Sequence, residues 1–104
     1  MYVRAGTSQI QSGKMQEAIN IANNSVVPAV KAQKGFRGIY FMTGDASGNF
    51  LALSVWKTEA DILASDSDGF SLEPFAKIGA LMAGPPKFDH YELSVEASVG
   101  DIDA

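Results

Sequence analysis

Histidine is the one residue type whose ordinary ionisation lies near neutrality, and this 104-residue chain has a single one, His90. A histidine beside a phenolic ligand can act as general base and leave an electron-rich anion that reacts with oxygen. A lone histidine on a strand equally suits a structural or solvent-facing role. Arg4 can hold a phenolate or carboxylate oxygen through its planar fork. It can also pair across a sheet with Glu92 or Glu96. Trp56 is the only tryptophan. It stands at the end of the apolar run "FLALSVW", where a polar, helix-like run begins. Flat aromatic ligands stack on such a ring, so Trp56 reads either as the wall of a cavity or as a plug between strand and helix. Tyr40, Phe41, Phe75, Met82 and Tyr91 can line an apolar cavity or simply build a core.

Other chemistries lack their residues. There is no cysteine, which removes disulfides, thiolate nucleophiles and cysteine-ligated zinc. One histidine does not build a Ser/His/Asp set or a histidine-rich metal cluster in the required local patterns, so no metal ligands are assigned. "DSDG" (66–69) lacks the regular ligand run and closing Glu of a calcium loop. "GDASGNF" (44–50) has glycines without phosphate-loop spacing. Net charge is −4 with no basic cluster, which argues against a nucleic-acid partner. Nothing resembling a secretion leader precedes Tyr2 and no apolar run reaches membrane-spanning length. The expectation is a soluble cytoplasmic protein without a membrane partner. Apolar residues form 46% of the sequence, enough for the core of one domain spanning 1–104, with an acidic tail at about 98–104.

Turn and cap signals divide the chain into six elements. "YVRAGTSQI" suits a strand, and "QSGK" breaks it. Ser12 or Gly13 is placed to cap the next helix, with Gln16 completing a weak capping box. Met15, Ala18, Ile19, Ala22, Val26 and Val30 follow a helical repeat and give one buried stripe. Pro28 predicts a kink, with Val27 biased away from helical geometry, and Gly35 a left-handed stop. "FRGIYFMTG" and "FLALSVW" flank the turn "DASGN" and make a hairpin. Thr58 with Asp61 forms a second capping box before a short helix. A further helical piece carries Leu72, Phe75, Ile78, Leu81 and Met82 on one side, and "GPP" stops it. "FDHYELSVEA" alternates as a last strand. The order strand, helix, strand, strand, helix, strand is the α+β ferredoxin-like arrangement, βαββαβ: a four-stranded antiparallel sheet with both helices on one face.

Such a sheet should be wet on its free side, and this one is not. One parity of the second strand carries Ile39 and Phe41, the other Tyr40 and Met42. One parity of the third carries Leu51, Leu53 and Val55, the other Ala52, Ser54 and Trp56. An apolar free face of that size marks an interaction surface. A second copy, face to face, would cover it as a symmetric homodimer with a barrel-like double sheet.

The stretch "VVPAVKAQKGFRGIYFMTGDASGNFLALSVWKTEADILAS" resembles the antibiotic biosynthesis monooxygenase (ABM) family of dimeric α+β barrels. A proline-containing helix end runs into Gly-Phe and the second strand (Pro28 to Gly38). A glycine-containing hairpin turn follows, then a strand ending in Trp and an acidic helix start (Trp56 to Glu59). The likeness covers roughly residues 2 to 97. It implies a cofactor-independent monooxygenase acting on an aromatic or polyketide-like small molecule. For such a reaction the side chains weighed above offer His90 as candidate catalytic residue and Trp56, Tyr40, Phe75, Met82 and Arg4 as candidate substrate-binding residues. A non-catalytic dimeric binding or structural protein of the same fold is the alternative. The family's haem-degrading members use an Asn on the first strand, a Trp, and an axial His on the second helix. Trp56 matches by position, but Arg4 to Gln9 contains no Asn and Ala64 to Gly69 no His. No haem or other cofactor is therefore expected.

Overall fold

A computed structural model describes residues 1–44, 47–67 and 72–97. Strands β1 (Tyr2–Gln9), β2 (Phe36–Thr43), β3 (Asn49–Trp56) and β4 (Lys87–Glu92) form one antiparallel sheet in the order β2-β3-β1-β4. Between β1 and β2 run α1 (Met15–Ile21), a π turn (Ala22–Val26) and α2 (Val27–Lys31). Between β3 and β4 lie α3 (Glu59–Ser67) and α4 (Leu72–Gly79). This is the ferredoxin-like arrangement. The expected tail at 98–104 and the tip of the "DASGN" turn lie outside the described residues.

The first helical segment departs from expectation in an informative way. Val27 is helical (φ −57, ψ −50), not extended, and Pro28 sits in the first turn of α2. A proline lacks the N–H that a continuing helix needs and its ring crowds the preceding turn. The wider π turn before it makes room, so the chain continues instead of kinking apart. The same turn serves the core. Ala18, Ala22, Val26 and Val30 are all buried at steps of four, which overshoot a 3.6-residue period. A wider turn restores the phase and keeps the four in one line, against Ile10, Phe50 and Ile78. The expected cap by Ser12 or Gly13 is absent: Lys14 precedes α1 without a side-chain cap, and Gln16 bonds Asn20 at 3.1 Å instead. Gly35 does take the left-handed conformation (φ +80).

At α3 the Thr58 hydroxyl accepts from the Asp61 N–H at 3.1 Å and donates to the Asp61 carboxylate at 2.9 Å. This anchors the turn that follows Trp56. The last strand is shorter than the alternating pattern suggested. It ends at Glu92, opposite Tyr2, and Leu93 makes the closing bond to Met1. Beyond that point β1 offers no further partner.

Register assigns the two faces. Arg37 is an extra residue in β2, because Phe36 pairs with Trp56 while Gly38 pairs with Val55. The bulge turns Phe36, Ile39 and Phe41 all toward the helices, where they pack on the core. The helix-facing set on the other strands is Arg4, Gly6 and Ser8; Phe50, Ala52, Ser54 and Trp56; and Phe88, His90 and Glu92. The outer face carries Val3, Ala5, Tyr40, Met42, Leu51, Leu53, Val55 and Tyr91.

Candidate functional site

An open cleft of about 410 Å³ lies on the helix side of the sheet, lined by β1, β4, α3, α4 and the segment joining α4 to β4. Its wall has a polar end, Arg4, Ser65 and Asp66, and an apolar body, Phe75, Ala76, Met82, Pro86 and Phe88. A cleft of this size and character fits a small aromatic molecule. A narrow void of about 20 Å³ continues inward among Phe41, Phe50, Ala52 and Ile78. The apolar wall follows from two local features. α4 packs on α1 and the π turn, turning Ile78 inward while Phe75 stays half-buried. Gly6 leaves room over β1 for the Phe88 ring, which an added Cβ would approach to 2.8 Å.

The polar end is built from three elements. Arg4, buried on β1, forms an ion pair with Asp66 near the end of α3. Its guanidinium carbon lies 5.5 Å from the Trp56 ring centroid and 6.0 Å from that of Phe75, within cation–π range. The expected partners Glu92 and Glu96 are not used. α3 passes over β1 and brings Asp66 to the arginine, where a carboxylate offsets the desolvation of the buried charge. His90, opposite Arg4 in register, places Nε2 3.7 Å from the second Asp66 oxygen. That is an ion-pair separation, too long for a hydrogen bond. Asp66 thus stands between an arginine and a histidine, itself 43% exposed.

The sequence candidates are distributed as follows. Arg4, Phe75 and Met82 meet in the cleft wall. His90 stands behind Asp66 and is not part of that wall. Trp56 is fully buried; its Nε1–H donates to Ser54 Oγ at 2.9 Å and its ring meets Phe36 edge-on at 5.5 Å. It forms the floor under Arg4 rather than a surface of the cleft. Tyr40 and Tyr91 are 62% and 56% exposed on the opposite face of the sheet, so neither reaches the cleft. Phe41 stacks on Phe50 in the core at 5.7 Å. Ser65 and Asp66 were not singled out by their types or spacing. Asp66 lay in "DSDG", which reads as a helix break, yet α3 runs through Ser67. Haem ligation does not fit this site: the single histidine is on β4 beside a carboxylate, and α3 offers none.

Residues 1–69 match the family model described as antibiotic biosynthesis monooxygenase. The chain belongs to that family. Among curated proteins none matches it. Solved structures agree on the fold. A monooxygenase of Streptomyces coelicolor in complex with nanaomycin D superposes with a TM-score of 0.77 at 16% identity, over 93% of this ABM chain and 92% of that one. The Rv0793 protein of Mycobacterium tuberculosis gives 0.74 at 13% identity over 93% and 98%. A conserved protein of Methanosarcina mazei gives 0.74 at 16% over 88% and 91%. No helix among the described residues is long and apolar enough to cross a membrane.

Proposed function

We propose that this ABM protein is a cofactor-independent monooxygenase for a flat aromatic or polyketide-like molecule, bound in the cleft between α4 and the β1/β4 side of the sheet. The observation that carries this reading is the combination of an apolar cleft with a paired Arg4–Asp66 at one end. A ligand phenol or activated C–H loses its proton to Asp66, with His90 behind it to share the charge. Arg4, fixed by Trp56 and Asp66, faces the oxygen on which negative charge develops. The ligand carbanion reduces dioxygen, a C–O bond forms, and the proton held on Asp66 returns to the peroxide oxygen to give a hydroperoxide. Loss of the second hydrogen on that carbon with the outer oxygen, as water, breaks the O–O bond and leaves a carbonyl. One oxygen atom enters the product, the other leaves in water, and no outside reductant is consumed. The protein supplies orientation and a dry site.

Association of two copies completes the reading. The outer sheet face exposes Tyr40, Met42 and Tyr91 beside half-buried Val3, Ala5, Leu51, Leu53 and Val55. A twin subunit covers that face, as in the family's barrels.

Anthrone, a three-ring ketone with an acidic C–H, tests the chemistry in an oxygen electrode. Oxygen uptake with formation of anthraquinone above the buffer rate is expected, reduced in Asp66→Asn and His90→Gln. Binding of anthrone without enzyme-dependent uptake would favour the alternative, a non-catalytic ligand-binding protein of the same fold.

A further inference from the structure

We infer that Phe88 sets the length of flat molecule the cleft admits: its ring lies over Gly6 and stops a ligand held at Arg4 from extending along β1 into the inner void. This rests on the ligand-binding reading of the cleft given above.

The cleft and the void are neighbours that share Phe75, Met82, Pro86 and Phe88 as wall. Along β1 they divide: Arg4 lines the cleft, whereas Gly6 and Ser8 line the void. Successive residues on one face of a strand stand roughly 7 Å apart, so the void begins one step beyond the arginine. Small residues make its floor, since Gly6 pairs with Ala52 across the sheet. On its other side Gly6 pairs with Phe88, whose ring leans in so closely that a Cβ on the glycine would meet it at 2.8 Å. Phe75 and Met82 pack on the core. Phe88, although it stands on the helix-facing side of β4, is 54% exposed, so its ring contributes less burial to the fold than theirs. It does close the inner end of the cleft. The void of about 20 Å³ holds no ring by itself. Joined to the space that a phenyl group vacates, it takes one further fused ring. The limit applies to rings set in line beyond the oxygen that Arg4 holds. Anthrone, with its oxygen on the middle ring, reaches only one ring deep in that direction.

The test is fluorescence titration of wild type and Phe88→Ala with 2-naphthol and 2-anthrol, linear phenols of two and three fused rings. The ratio of the two affinities is the readout. Wild type should bind 2-naphthol and gain nothing from the third ring. Phe88→Ala should shift the ratio toward 2-anthrol by about 10-fold, the gain from burying roughly 50 Å² more apolar surface. Phe88→Leu loses the ring but keeps an apolar side chain at the strand edge. It should shift the ratio the same way by less, and it carries the test if the alanine variant fails to fold. A ratio that stays unchanged or moves toward 2-naphthol in a folded variant would overturn the length limit and leave the cleft as a ligand site. If neither phenol binds wild type or either variant, the ligand reading fails and the role of Phe88 with it.

Discussion

Trp56 and Ser54 form a closed buried pair, and their coupling can be measured. The indole is fully buried and donates to Ser54 Oγ at 2.9 Å; Ser54 is itself buried. Trp56→Phe removes the donor and one ring. The unpaired serine hydroxyl costs about 1–3 kcal/mol. The lost ring removes roughly 50 Å² of buried apolar surface, about 1–1.5 kcal/mol at ~25 cal/mol per Å². Weaker cation–π contact with Arg4, now 5.5 Å from the ring, adds about 0.5 kcal/mol. The expected total is about 2.5–5 kcal/mol. Ser54→Ala strands the indole N–H instead and costs about 1–3 kcal/mol. The double variant strands nothing, so it should cost at least about 2 kcal/mol less than the sum of the singles. Urea unfolding followed by far-ultraviolet circular dichroism is the assay, because Trp56→Phe and the double variant lack the tryptophan fluorophore. Protein concentration must be held constant, since association shifts the midpoint. Single costs that add within about 0.5 kcal/mol would refute the coupling, and with it the view that this bond fixes the floor beneath Arg4.

Three further outcomes are expected. Wild type should sediment as a dimer at micromolar concentration and Leu53→Glu as a monomer; a wild-type monomer would remove the proposed partner of the outer face. Gly35→Ala should destabilise by about 2 kcal/mol or more in urea unfolding, because φ is +80 and the new Cβ falls on the Asp61 carboxylate; an unchanged midpoint would contradict the assigned geometry. Titration with hemin should give no saturable Soret shift, and a saturable one would contradict the absence of a suitable histidine on α3.

The fold was readable because its signals are local. Turn residues bound the hairpin, Thr58 and Asp61 announce α3, and parity sorts Ile39 and Phe41 from Tyr40 and Met42, as the register shows. The outcome at Val27 was not readable. Proline rules are written for an α-helix, and a π turn ahead of Pro28 escapes them. The bulge at Arg37 was equally hidden, since one extra residue leaves no compositional mark.

The site was harder for a physical reason. Its polar end joins residues 62 positions apart, Arg4 and Asp66. Charge alone pointed Arg4 at the acids of a neighbouring strand, Glu92 and Glu96. Glu96 lies past the end of β4, but parity does not forbid Glu92; what decides is that α3 crosses β1 and delivers a carboxylate from above. Parity could have excluded Tyr40, which alternates with Phe41 and so points away from the core side that Phe41 occupies.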